Sequence, residues 1–277
     1  MRWITDGDLA TFANHVMPVL LTDPVVNNVA YTLVRYRLAG SVPTEPDALW
    51  LRCSDQGATC AFALQTPPHS LLLTDMPDGV VDALADHLTG ASQRLPGANG
   101  PEHATDRFAA RYGGATAGRI GSSRMFRLDH VIPPPRTRGR LREAAAPDRD
   151  ALVAWSAAFL AEAAPNEPRE DPAGPVDLRL GKPGQLWVWD VNGEIVSTAY
   201  VGGPAAGVVR VSGVYTPKDH RGRGYATACV AGLSQAVLDA GATACMLYTD
   251  LANPTSNKIY QAIGYRPVGD VSSWRFA

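Results

Sequence analysis

Apolar residues near the start of the chain recur at helical spacing. Leu9, Phe12, Ala13, Val16 and Leu20 share one face, and Asp23-Pro24 restarts the chain, so 5–38 reads as two short helices. The runs Ala48-Leu-Trp-Leu-Arg-Cys and Ala58-Thr-Cys-Ala-Phe-Ala-Leu flank Asp55-Gln56-Gly57 and predict a hairpin. Ser70-Leu-Leu-Leu-Thr is a further strand. Val81, Leu84, Ala85 and Leu88 share one face of a helix over 78–89. A second helix follows over about 101–112, and Arg124-Met-Phe-Arg-Leu-Asp reads as a strand.

Ile132-Pro-Pro-Pro-Arg-Thr-Arg-Gly-Arg interrupts the pattern. Three prolines fix the backbone and remove its donors, so the segment is expected to be extended, and the domain boundary is set there: 1–135 and 136–277. Its arginines, Arg136, Arg138, Arg140 and Arg142, alternate along the chain. They suit either a solvated linker entering an edge strand or a contact with an anionic ligand.

Beyond the prolines the pattern resumes. Arg140-Leu-Arg-Glu-Ala is a strand, and a helix over 147–163 aligns Leu152, Trp155, Phe159 and Leu160. Leu186-Trp-Val-Trp-Asp and Glu194-Ile-Val-Ser-Thr-Ala-Tyr-Val flank Val191-Asn192-Gly193, a strong hairpin turn. A strand over 208–215, a loop, a helix to Ala240, a strand over 244–249, a helix from Asn253 and a last strand near Trp274 complete the chain. Both halves run helices, hairpin, strand, helix, strand, helix, strand. This predicts a pseudo-repeat of two similar α/β (α+β) units.

The chain has 277 residues, 45% of them apolar, which suffices for a core and excludes a wholly disordered chain. Its 25 Lys+Arg and 27 Asp+Glu leave a net charge of -2, so no global field draws it to nucleic acid or an anionic membrane. The four cysteines are too sparse for a disulfide scaffold and fit a reducing cytosol. Met1-Arg-Trp-Ile-Thr-Asp lacks the apolar run of a signal peptide, and the greasiest stretch, 15–34, is broken by Pro18, Asp23 and Pro24. A cytoplasmic protein, monomer or homodimer, is expected.

The chemistry concentrates in Val211-Ser-Gly-Val-Tyr-Thr-Pro-Lys-Asp-His-Arg-Gly-Arg-Gly-Tyr-Ala. A strand, a basic glycine-bearing loop and a helix N-terminus form a diphosphate-binding recipe: amides converge, the helix dipole favours anions, and glycines permit close approach. The segment has neither a Walker A loop nor the three-glycine dinucleotide pattern. Arg221-Gly222-Arg223-Gly224-Tyr225-Ala226 resembles motif A of the GNAT acetyltransferase superfamily. Asn253-Pro-Thr-Ser-Asn-Lys-Ile-Tyr-Gln-Ala-Ile-Gly-Tyr resembles a later block of the same superfamily. The resemblance runs from about Arg140 to the C-terminus. More loosely, the whole chain resembles tandem-GNAT proteins related to glycine N-acyltransferase, whose N-terminal half is a degenerate copy.

The resemblance implies two tandem GNAT-like units, each a mostly antiparallel mixed sheet flanked by helices. It implies acyl transfer, most simply of acetyl from acetyl-CoA to an amine of a small molecule, by direct attack in a ternary complex and without a metal. Backbone groups of Val214, Tyr215 and Thr216 would pair with pantetheine, and an amide near Val214 would polarise the thioester carbonyl. Amides of Arg221, Gly222, Arg223, Gly224, Tyr225 and Ala226, with Thr227, would hold the pyrophosphate. Asn253 and Asn257 would flank pantetheine, and Tyr260 would be the general acid. Asn253 before Pro254 also suits a helix cap, and Tyr260, between Ile259 and Ile263, also suits a core position. Two further readings stay open: an aminoacyl-tRNA donor, with Arg136–Arg142 touching RNA, and a non-catalytic acyl-CoA-binding module.

No carboxylate stands on the strand 207–215, where many relatives carry a base. Glu162, Glu167 and Glu194 are candidates, each also readable as a solvated charge. An amine arriving deprotonated needs no dedicated base. In the first half the equivalent loop, Leu73-Thr-Asp-Met-Pro-Asp-Gly-Val-Val, has no arginine, and Asp75 and Asp78 would repel a diphosphate. That unit is not expected to bind CoA, and Phe108 stands near where the acid tyrosine would fall. The segment 164–184 is expected to shape the acceptor pocket. The six histidines are scattered, no metal-ligand spacing or Gly-x-Ser-x-Gly elbow occurs, and Cys53 and Cys60 read as core thiols.

Overall fold

The computed structural model describes residues 1–163 and 171–277; Glu167 and the first part of 164–184 lie outside them. In chain order the elements are β1 (Arg2–Thr5), α1 (Leu9–Leu20), α2 (Asn28–Leu38), β2 (Leu49–Asp55), β3 (Ala58–Gln65), β4 (Leu71–Leu73), α3 (Asp78–Gly90), β5 (Gly97–Pro101), α4 (Glu102–Phe108) and β6 (Gly118–Leu128). There follow β7 (Arg140–Glu143), α5 (Arg149–Ala163), α6 (Ala173–Leu180), β8 (Leu186–Val191), β9 (Glu194–Val201), β10 (Val208–Tyr215), α7 (Tyr225–Asp239), β11 (Ala244–Asp250), α8 (Pro254–Ala262) and β12 (Arg266–Arg275).

The chain forms two compact units, one of residues 1–125, 249–254 and 267–277, the other of 126–248 and 255–266. The division falls at 125/126, so the proline seam at 132–140 lies inside the second unit. Packing explains the difference. Phe126 and Leu128 are fully buried in the second unit's core, and the Ile132 amide donates to the Ile263 carbonyl at 2.9 Å. The end of the chain goes to the first unit because β12 pairs antiparallel with β5, from Val271↔Pro101 to Arg275↔Gly97.

The first unit's strands run β1-β2-β3-β4-β5-β12, antiparallel except for β4 beside β5. Helices α1 and α2 seal one face over Phe12, Val16, Leu20, Val34, Trp50 and Phe62. Helices α3 and α4 seal the other over Leu51, Leu71, Val81, Leu84 and Phe108. The second unit's strands run β7-β8-β9-β10-β11, antiparallel except for β10 beside β11. There α7 and α8 cover Val209, Leu233, Leu247 and Ile263, while α5 and α6 cover Leu152, Val176, Leu186 and Val188. Both units are thus mixed α/β, each a mostly antiparallel sheet with a helix pair on either face.

Local chemistry explains the two hairpins. Gln56 and Gly57 (φ 48° and 89°) and Asn192 and Gly193 (φ 57° and 90°) supply the left-handed pairs that tight turns between twisted strands require. At β7 the guanidinium of Arg142 joins Asp148 (2.7 and 2.9 Å) to Asp190 (2.8 Å). This commits one of the four alternating arginines to the fold rather than to an anionic partner. Asp148 also accepts the Ala145 amide and Asp190 the Gly193 amide, both at 2.8 Å.

The Arg142 hydrogen bonds hold both carboxyls below the usual range. Their stabilisation is therefore complete above an unfolded-state pKa of about 4 and is lost as pH falls through the lower folded values. Asp148→Asn is expected to cost about 1–3 kcal/mol at pH 7 and to flatten the fall in stability between about pH 5 and 2. Urea unfolding across that range measures both.

No described helix is long and apolar enough to cross a membrane. Among the described residues no three His, Cys, Asp or Glu side chains group as metal ligands. All four cysteines are free thiols, and Cys60, expected in the core, is exposed.

Candidate functional site

The functional features gather along β10 in the second unit. Its parallel pairing with β11 runs from Val208↔Ala244 to Arg210↔Met246 and stops there. From Val211 onward β10 follows β9 alone, so the two parallel strands diverge. Within the β9 ladder the register passes from Ser212↔Tyr200 to Tyr215↔Thr198. Gly213 and Val214 therefore oppose one residue, a bulge that frees backbone polar groups beside the divergence.

Gly213 is the residue this bulge requires. Its φ is +58°, and a Cβ there would lie 1.8 Å from Cε1 of Tyr200. The Ser197 hydroxyl contacts Thr216 Oγ1 at 2.9 Å and donates to the Tyr215 carbonyl at 3.2 Å, fixing the strand's exit.

The loop then turns through Lys218–His220 and reaches α7 with Gly222 and Gly224 both left-handed (φ 77° and 78°). Nothing lies within 4 Å of where a Gly222 Cβ would be. Among the described residues, the amides of Gly222, Arg223 and Gly224 make no turn or loop backbone hydrogen bond. The first amides of α7, from Tyr225 through Ala226 to Thr227, have no partner inside the helix either. Successive left-handed glycines leading into a helix N-terminus make a concave set of donors suited to phosphate oxygens.

The two arginines of the loop differ. Arg223 is exposed and makes no ion pair among the described residues. Arg221 folds back, donating to the Thr216 carbonyl (2.8 Å) and to both Glu162 oxygens (3.1 and 2.8 Å), with its guanidinium 5.6 Å from the Tyr215 ring centroid. Glu162, a candidate base, is thereby half of an ion pair. Glu194 likewise stands 3.5 Å from His220 Nε2.

On α8, Tyr260 is 7% exposed and packs against Phe126 and Tyr265, ring centroids 6.4 and 5.9 Å away. Burial alone pushes its phenol up to about 12, so it keeps its proton throughout the neutral range. Asn253 directly precedes the helix, its amide bonded to the Asp250 carbonyl at 3.0 Å, and Asn257 lies within it.

The sequence pointed to 164–184 for an acceptor pocket but not to the other walls of the pocket beside the bulge. About 330 Å³ of space, open to solvent, lies between α5, α6 and strands β8–β10, with Gly213 and Tyr215 in its wall. Trp155 and Phe159, aligned along α5, line it together with Tyr200. Helix α6, unread in a Pro- and acid-rich stretch, supplies Pro175 and Val176. Apolar residues on more than one face of α5, Leu152 and Val153 beside Trp155 and Phe159, were the available signal.

The first unit has a different arrangement at β4 and β5. A Cβ on Gly100 would lie 2.6 Å from the Leu73 carbonyl oxygen, so these strands stay in close contact to the end of β4. The N-terminus of α3 carries its own anion, Asp78, already engaged by His103 (2.7 Å) and Arg107 (2.9 Å). Phe108 is fully buried, stacked on Tyr112 at 5.2 Å.

Among curated proteins none matches the chain. Solved structures do. An acetyltransferase from the GNAT family of Colwellia psychrerythraea aligns over 100% of both chains with TM-score 0.65 at 11% identity. A GCN5-related N-acetyltransferase from Sphaerobacter thermophilus aligns over 99% of this chain and 95% of its own, with TM-score 0.66 at 14% identity. One from Kribbella flavida covers 90% of this chain and 95% of its own, with TM-score 0.53 at 19% identity. At such identities the likeness is one of fold. Residues 150–265, which hold the bulge, the glycine loop and Tyr260, match the model of the acetyltransferase (GNAT) family, and that stretch is a GNAT-family domain.

Proposed function

We propose that the second unit is an N-acyltransferase taking acetyl from acetyl-CoA to an amine of a small molecule, by direct attack in a ternary complex. The observation that carries this reading is the divergence of β10 from β11 at Arg210, beside a bulge and directly before the left-handed glycine loop of α7. Such a gap accepts an extended arm as an added strand, and the loop accepts the phosphates at its end.

The backbone of Val214, Tyr215 and Thr216 pairs with pantetheine, and the Val214 amide polarises the thioester carbonyl. Amides from Gly222 to Ala226, with Thr227, hold the pyrophosphate, the Arg221 amide being bonded to the Lys218 carbonyl at 3.2 Å, and Arg223 adds the free charge. Asn257, on α8, flanks the arm. Tyr260 gives its proton to the departing thiolate. With Glu162 paired to Arg221 and Glu194 beside His220, the acceptor enters as the free amine, and the proton its nitrogen sheds after attack passes to water. In this reading the first unit is a degenerate copy of the second and binds no CoA, because its parallel strands stay together and Asp78 occupies the helix N-terminus.

Calorimetric titration with acetyl-CoA tests this. One-to-one binding is expected, weakened about tenfold or more by Arg223→Glu, since the change replaces a phosphate-pairing charge with a repelling one. Absence of binding to the unaltered protein overturns the reading, and a salt-dependent gel shift with aminoacyl-tRNA becomes the next measurement.

A further inference from the structure

We infer that the acceptor is a primary amine carried on a flat apolar body, an arylalkylamine in chemical class, seated in the pocket beside the β10 bulge. This rests on the acyltransferase reading for the reaction, but the pocket's chemistry stands by itself. Of the eleven described residues that line it, eight are apolar or aromatic, and none of these eleven is Asp, Glu, Lys, Arg or His. The remaining three are Gly213, Ser156 and Thr198. The Thr198 hydroxyl is already spent on the Trp187 carbonyl at 2.9 Å.

That wall selects by exclusion. A polyamine, an amino sugar or an α-amino acid would leave charges or hydroxyls desolvated without partners, which is costly. A hydrocarbon body loses nothing there and gains the burial of its surface. The aromatic residues add shape. The rings of Trp155 and Tyr215 pack against each other, centroids 6.2 Å apart at 50°, and present a continuous aromatic wall. Arg179 stands 4.2 Å over the Tyr200 ring centroid, so Tyr200 is held as a wall.

Position completes the argument. Gly213 and Tyr215 belong both to the pocket wall and to the bulged strand, so a nitrogen at the end of a short side chain would reach the bulge while its ring stayed among Trp155, Phe159 and Val176. An apolar surround also disfavours the ammonium form and favours the nucleophilic free amine. It thereby supplies by desolvation what no carboxylate on β10 supplies.

The test uses the full chain with 2-phenylethylamine, spermidine, glycine and glucosamine. Binding is read by calorimetry without donor, and transfer by thiol release with acetyl-CoA. Preference for 2-phenylethylamine over the other three by about tenfold or more is expected. Trp155→Ala should raise its dissociation constant and KM about tenfold with acetyl-CoA affinity unchanged, and Trp155→Phe should restore most of the loss. Binding of 2-phenylethylamine that depends on Trp155, in a protein that takes no acetyl-CoA, keeps this inference and removes the donor reading. Acetyl-CoA binding with spermidine, glycine or glucosamine preferred, or with 2-phenylethylamine neither bound nor acylated, overturns the inference and leaves the donor site standing. So does a Trp155→Ala variant that handles 2-phenylethylamine normally.

Discussion

Tyr260→Phe is expected to lower turnover about a hundredfold or more while acetyl-CoA titrates with unchanged affinity. The substitution removes one hydroxyl and keeps the ring that packs on Phe126 and Tyr265. Stability should therefore hold, and unfolding of the variant serves as the control. The hydroxyl is suited to the role because burial keeps it protonated, with a pKa pushed up to about 12. As the acid form is the active one, this group should impose no loss of activity as pH rises through 9. Unchanged turnover in the variant would reduce Tyr260 to a core residue. Turnover and affinity lost together would make the hydroxyl a binding group rather than a proton donor.

Gly213→Ala should destabilise the protein by about 2–4 kcal/mol, combining the strain of a left-handed side-chain-bearing residue with overpacking. The new Cβ would fall 1.8 Å from Cε1 and 1.9 Å from Cζ of Tyr200, an overlap neither can relieve in place. Tyr200 must leave or the bulge must flatten. A double-mutant cycle separates the two causes. In a Tyr200→Ala background the cost of Gly213→Ala should drop to the backbone strain alone, about 1 kcal/mol. An equal cost in both backgrounds would assign the whole effect to φ. A cost below about 0.5 kcal/mol would mean that the bulge does not need its glycine. Flattening the bulge would also be expected to abolish transfer, since Val214 would return to the β9 ladder.

Elements encoded within a few residues were legible in the sequence. Both hairpins follow from turn residues that take left-handed angles, and α1 and α3 follow from their apolar period. The glycine loop was legible too, because its chemistry lies in consecutive backbone groups. β5 was not. Gly97-Ala-Asn-Gly-Pro has no alternation to read. It is a strand because it is inserted between β4 and β12, and a Cβ on Gly97 would lie 2.1 Å from the Trp274 carbonyl oxygen. β1, a four-residue strand paired to β2, and α6, a short helix over the pocket, were unread for the same reason.

The sequence by itself determined the α/β alternation, the turns, the glycine loop before α7 and the absence of a carboxylate on β10, since each depends on neighbours a few positions away. Tertiary structure alone decided the rest. It assigned the last strand to the first unit, because β12 finds its partner in β5, far away along the chain. It drew Arg221 onto Glu162 and left Arg223 exposed, a choice between two equal charges that only α5 could make. It made the aligned Trp155 and Phe159 the wall of a pocket, because α5, α6 and the bulged strand meet without filling the space between them. Pairing, charge neutralisation and voids are relations between distant segments, and periodicity along one segment carries no record of them.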